Sequence, residues 1–159
     1  MNTKCFQFLA AKAALSVSML TVLTAPGFAI AAAPVAAATD LQPFAGTWIA
    51  SHDGTRIVEL VLRVGKGNLA GAIRICGFTI NTEGSGKIDQ ITNEKLSSDL
   101  PLRNITVSGK AVSFDWKDPD GDENHWKLEL TGPDAGRLIW VGLPSGLKAE
   151  PIPVNRTSI

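Results

Sequence analysis

Residues 56–64 make the clearest strand of the chain. Val58, Leu60, Leu62 and Val64 point one way, and Glu59 and Arg63 point the other. Side chains on a β-strand reverse direction at every residue, so this run describes a wall with one dry face and one wet face. A helix would split the same four apolar residues between two opposite sides. The pattern recurs downstream. Leu69, Gly71, Ile73 and Ile75 share a face opposite Arg74, and Val112, Phe114 and Trp116 alternate with Ser113 and Asp115. Trp126, Leu128 and Leu130 then alternate with Lys127 and Glu129. No stretch keeps helical spacing over three turns.

Turn signals separate these runs: His52-Asp53-Gly54-Thr55, Gly65-Lys66-Gly67-Asn68, Ser108-Gly109-Lys110, Asp118-Pro119-Asp120-Gly121 and Gly132-Pro133-Asp134-Ala135-Gly136. Glycine beside Asp or Asn accepts the positive φ that tight hairpins require. Residues 47–51 and 137–143 read as further strands. Residues 77–100 are the least regular, with one strand expected over 87–93 from the alternation through Ile88 and Ile91. A last extended segment covers 147–156, where Pro151 and Pro153 cannot donate ladder hydrogen bonds and impose incomplete pairing or a bulge. The expected fold is all-β, roughly eight antiparallel strands in an up-and-down barrel. A sandwich needs longer crossovers than these hairpins provide.

The amino-terminal residues 1–38 read differently. Lys4 and Lys12 open a stretch whose first acid is Asp40, and residues 6–33 are almost wholly apolar. Small residues then gather as Ala29-Ile30-Ala31 and Ala36-Ala37-Ala38. A positive start, an apolar middle and a small-residue exit form a secretory signal. Residues 13–33 are long enough to span a bilayer, but Pro26, Gly27 and the alanine-rich exit favour cleavage, after Ala38 or after Ala31. Cys5 precedes the apolar run and so is no lipoprotein anchor, and no twin arginine is present. The expectation is an exported protein, periplasmic or secreted, with residues 39–159 as one domain and no membrane span after cleavage.

Without Lys4 and Lys12 the chain carries 13 basic against 15 acidic residues. No basic patch points to nucleic acid. Cys76 is the one cysteine beyond the leader, so no disulfide forms within the domain and an apolar core must hold it. The expectation for Cys76 is a buried, inert thiol beside Ile73 and Ile75, with a reactive thiol or a dimer link as alternatives.

Gly46-Thr47-Trp48 opens the first strand of this meander. In that position it resembles the calycin superfamily, lipocalins above all. The resemblance implies that Trp48 plugs one end of the barrel and that a basic residue near the last strand packs over it. Arg156 matches that residue by its order in the chain. A guanidinium on an indole face is held by cation–π attraction. The chain departs from larger lipocalins in leaving no room for a helix after the barrel and in lacking their cysteine pair. Avidins share the size and a similar first-strand opening, but the absence of tyrosine argues against an avidin-type biotin site. The chain looks more like small bacterial exported domains with lipocalin-like barrels.

Four tryptophans, Trp48, Trp116, Trp126 and Trp140, sit on apolar ladders. If the barrel is hollow, Val58, Leu60 and Leu62 line one wall and Phe114, Trp116, Trp126 and Leu128 another. Such walls suit a small apolar ligand or lipid. The alternative is a barrel filled by its own rings, an accessory module working through its surface. Asp118, Asp120, Asp122 and Asn124, with Glu129 beyond, echo a calcium loop. Glu123 stands where that loop needs glycine, so a solvated turn is the expectation. His52 adjoins Asp53, and His125 lies near Asp122 and Glu123; both are expected to face solvent. No nucleophile motif, phosphate loop or metal signature occurs. The expectation is therefore a protein that is not an enzyme and uses no cofactor, although calycins include enzymes.

Overall fold

A computed structural model describes residues 40–157. The leader expected at residues 1–38 and its cleavage point lie outside the described residues. A short 3-10 turn at Gln42–Phe44 leads into β1 (Gly46–His52), β2 (Thr55–Gly65), β3 (Asn68–Ile75), β4 (Gly77–Ile80) and β5 (Ile88–Asn93). Then follow β6 (Leu100–Pro101), β7 (Arg103–Ser108), β8 (Ala111–Lys117), β9 (Glu123–Leu130), β10 (Ala135–Trp140) and β11 (Ile152–Thr157).

Nine of these strands form one antiparallel sheet in the order β6-β3-β2-β1-β11-β10-β9-β8-β7. The first strand therefore has the last as a neighbour, with Trp48 paired to Leu60 on one side and to Arg156 on the other. At the far ends of the order, β6 and β7 are separated in sequence by Leu102 alone. Leu100 pairs with Ile73 of β3, and a few residues later Val107 pairs with Val112 of β8. One extended run thus carries the pairing from one edge to the other, and the sheet nearly closes into a barrel. Leu102 N–H donates to the carbonyl of Gly71 at 3.0 Å. A Cβ at Gly71 would stand 2.2 Å from the carbonyl oxygen of Val61, so the close approach to β2 needs glycine, and at 3.2 Å from Leu102 Cδ1 it would also crowd the seam.

The interior is a single apolar cluster, and it holds the residues that the alternation assigns to it. Trp48, Val58, Leu60, Leu62, Phe114, Trp116, Trp126 and Leu128 are all buried, as are Phe44, Ile73, Cys76, Leu138, Ile152 and Val154. Among the described residues no polar or charged residue is buried. In β2 two successive residues, Ile57 and Val58, are both buried. Pairing there steps from Ala50–Val58 to Ser51–Arg56, which leaves Ile57 as the extra residue of a bulge. A bulge breaks strict alternation and bends its strand.

In the irregular part of the sequence the strand expected over residues 87–93 forms as β5, while its partner β4 answers to no expected strand. Residues 77–80 and 88–93 form a separate two-stranded hairpin, β4–β5, outside the barrel sheet. Its Phe78, Ile88 and Ile91 pack on the core, which tertiary contact dictates and local alternation does not. The last strand begins at Ile152, not at residue 147. Pro153 pairs with Arg137 of β10, while the pairing to β1 covers only Asn155 to Thr157, so proline stands where β1 asks for no donor. Among the described residues no helix is long and apolar enough to cross a membrane.

Candidate ligand-binding site

The two ends of the barrel are built differently. At the end where β1 begins, Trp48 is fully buried and its indole N–H donates to the Phe44 carbonyl at 2.9 Å, so the 3-10 turn exists partly to satisfy this ring. Arg156, directly across the β1–β11 pairing, lays its guanidinium carbon 5.4 Å from the Trp48 ring centroid. Its Nε donates to Asp134 at 2.8 Å, and its Nη atoms donate to the carbonyls of Pro43, Ala45 and Pro133. Gly46 has φ +134°, and a Cβ there would lie 2.8 Å from Arg156 Cδ. Glycine is what lets the arginine stem pass.

Strand β10 runs away from this end and finishes at Trp140, which pairs with Trp126 near the start of β9; Trp116 lies near the end of β8. Ala135 and Trp140 are five residue steps apart on β10, about 17 Å along the strand. Trp116, Trp126 and Trp140 therefore form the opposite end. Trp116 meets Trp126 edge-on at a centroid distance of 6.2 Å, and Trp126 meets Trp140 at 6.2 Å with the rings tilted by 30°. Trp140 is only partly buried, so the apolar interior reaches the surface through it. Beyond it the rim consists of residues 141–151 and the β4–β5 turn. Two backbone hydrogen bonds join them, Lys148 N–H to Thr82 O and Glu150 N–H to Gly86 O.

The indole N–H groups of Trp116 and Trp126 are buried and find no acceptor among the described residues. Nothing in the sequence distinguishes them from Trp48, whose partner is a backbone carbonyl four residues away. The seven residues expected to line a cavity run the full height of the barrel. Leu62 sits level with Gly46 at the Trp48 end, whereas Trp116 and Trp126 mark the other. None of the seven lines the cleft of about 320 Å³ that opens at the Trp48 end. That cleft lies between the lead-in (Asp40, Pro43, Phe44), the β7–β8 turn (Gly109, Lys110) and Leu130 to Pro133.

On the outer wall, His125 Nδ1 lies 2.7 Å from Asp115 Oδ1, and Asn104 Nδ2 donates to Asp115 Oδ2 at 2.7 Å. His125 thus engages the neighbouring strand, not Asp122 or Glu123 beside it in sequence. These two hydrogen bonds, His125 first, hold the Asp115 carboxyl below its usual range. Asn104 sits at φ +48° where the β7–β8 register shifts, an uncommon backbone for a side chain that must reach Asp115. His52 lies 3.6 Å from Asp53. In the 118–122 turn, the Asp118 carboxylate accepts the Asp122 N–H at 2.9 Å and so serves the turn itself. Glu129 pairs instead with Arg137. Among the described residues no three His, Cys, Asp or Glu side chains are grouped to hold a metal ion.

No protein-family profile, curated protein or solved structure matches the chain.

Proposed function

We propose that the protein is an exported, non-enzymatic barrel of lipocalin-like build that takes up a small apolar molecule at its Trp116–Trp126–Trp140 end. The observation that carries this reading is the row of three indoles running from the buried core to partly exposed Trp140, at the end that Arg156 does not cover. Residues 141–151 and the β4–β5 turn lie outside the barrel pairing, so this rim opens at less cost than the wall. The composition of residues 1–38 supports export, and the mass of the extracytoplasmic form should place its first residue between positions 32 and 40.

Affinity should be moderate. Removing some 400 Å² of ligand and protein surface from water gives about 10 kcal/mol, and lost ligand freedom takes back about 4 kcal/mol or more. The surplus corresponds to dissociation constants of tens of micromolar for a small aromatic. Fatty acids, retinoids and small aromatics should be titrated into the domain while tryptophan emission is followed. Saturable quenching that disappears in a folded Trp126→Leu variant is the expected result. No response across the panel would remove the ligand-binding reading. The cleft beside Phe44 and Pro133 favours the second reading, an envelope accessory module that engages a partner through that surface.

A further inference from the structure

We infer that the molecule bound at the Trp116–Trp126 end is neutral and presents a carbonyl-type oxygen, which accepts hydrogen bonds from the indole N–H groups of those two residues. This rests on the ligand-binding reading above and sharpens it. Trp116 and Trp126 are 4% and 3% exposed, and the Nε1–H of each lacks an acceptor among the described residues. Buried donors are almost always partnered, because an unmade hydrogen bond leaves the full desolvation penalty standing. Trp48 shows how this fold satisfies an indole when the ring serves structure alone: the Phe44 carbonyl is set against it. Phenylalanine or leucine would fill the other end without stranding a donor. Two unpartnered donors on neighbouring rings of an otherwise apolar cluster point to an acceptor brought in from outside.

The surroundings select the kind of acceptor. No charged residue is buried among those described, so a carboxylate would enter without a cation to offset its lost hydration. An alcohol would bring its own donor among buried side chains that include no polar one to receive it. A ketone, aldehyde or ester oxygen brings only acceptor lone pairs, and has two of them.

Three probes of one shape separate these cases: acetophenone, the isosteric alkene α-methylstyrene, and benzoate. Calorimetry gives the affinities, and proton–nitrogen NMR follows the four indole N–H signals, with Trp48 as internal reference. Each net hydrogen bond is worth about fivefold in affinity. Acetophenone is expected to bind about fivefold or more tightly than α-methylstyrene, to move the Trp116 and Trp126 signals, and to leave that of Trp48 in place. Trp116→Phe and Trp126→Phe should each draw the ketone-to-alkene ratio towards one while the alkene still binds. Equal affinity for ketone and alkene, with those two signals unmoved, would overturn the acceptor assignment and leave apolar binding intact. Benzoate binding tighter than acetophenone would overturn the choice of a neutral ligand. Binding of none of the three would remove both this inference and the reading beneath it.

Discussion

Arg156 stands directly across the β1–β11 pairing from Trp48, and its guanidinium carbon lies 5.4 Å from the indole centroid. Residues opposite each other on antiparallel strands send their side chains to the same face, so the arginine stem must cross the ring before its head meets the Pro43, Ala45 and Pro133 carbonyls. One side chain thereby ties the lead-in, the β9–β10 turn and the last strand to a single buried indole.

Truncating the ring should be the costlier of the two changes. Trp48→Ala is expected to destabilise by about 3–5 kcal/mol as a large-to-small core substitution. Arg156→Ala should cost less, with a coupling between them of about 1 kcal/mol from the stacked contact. Urea unfolding of the wild type, the two single variants and the double variant measures this; additive effects would mean that the two groups do not support each other.

Gly46→Ala tests the passage that the arginine uses. At φ +134° the new side chain is strained, and its Cβ would press on Arg156 Cδ at 2.8 Å. A loss of about 1–3 kcal/mol is expected. In an Arg156→Ala background the loss should shrink, because the collision is gone while the backbone strain stays. An equal loss in both backgrounds would assign the whole effect to backbone conformation.

Acid should weaken the outer wall in a defined direction. Asp115 accepts hydrogen bonds from His125 and Asn104, and its folded pKa lies below the unfolded value of about 3.9. A depressed carboxyl pKa stabilises the fold above the unfolded value, and that contribution is lost as pH falls through the folded one. The stability gap between wild type and Asp115→Asn should therefore close over the interval that begins as pH approaches the unfolded value of about 3.9 and runs down through the lower folded one. A gap that stays constant over that interval would show that the ionised form of Asp115 has no special place in the fold.

Cys76 should be slow to react. Its thiol is 4% exposed, and burial pushes its pKa above the ordinary range, so the nucleophilic thiolate is scarce and covered. An aromatic disulfide reagent at mildly alkaline pH is expected to label the denatured protein at once and the native protein only as it opens. Immediate native labelling would contradict this placement.

Much of the wall was legible because a strand writes its facing directly into the sequence. Val58, Leu60 and Leu62, like Phe114 and Trp116, alternate with residues that point outward, and no knowledge of the rest of the chain is needed to orient them. Ile57 was hidden because a bulge is defined by the partner strand, here by the step between Ala50 and Ser51. Strand β5 was legible through Ile88 and Ile91, but its partner β4 and the hairpin's place outside the main sheet were hidden, because Phe78 is organised by the core it covers. The same holds for the site. Four tryptophans were visible, but which of their N–H groups has a partner depends on where a carbonyl from another segment falls. Asp115 and His125, ten residues apart, meet only because β8 and β9 pair in one register.

The seam at Leu102 has a consequence for how other molecules can recognise this protein. Chains are often joined by borrowing the unpaired backbone of an outermost strand, whether in productive assembly or in fibre growth. Here the first strand of the main sheet lies beside the last, and both ends of the strand order belong to one run through Leu102. That leaves a foreign strand only the parts of β3 outside its short pairing with β6 and the edge of β7 that faces away from β8. Elsewhere on the barrel a partner must address side chains, at the arginine-capped end, at the indole end, or on the charged outer wall that carries His125 and Asp115.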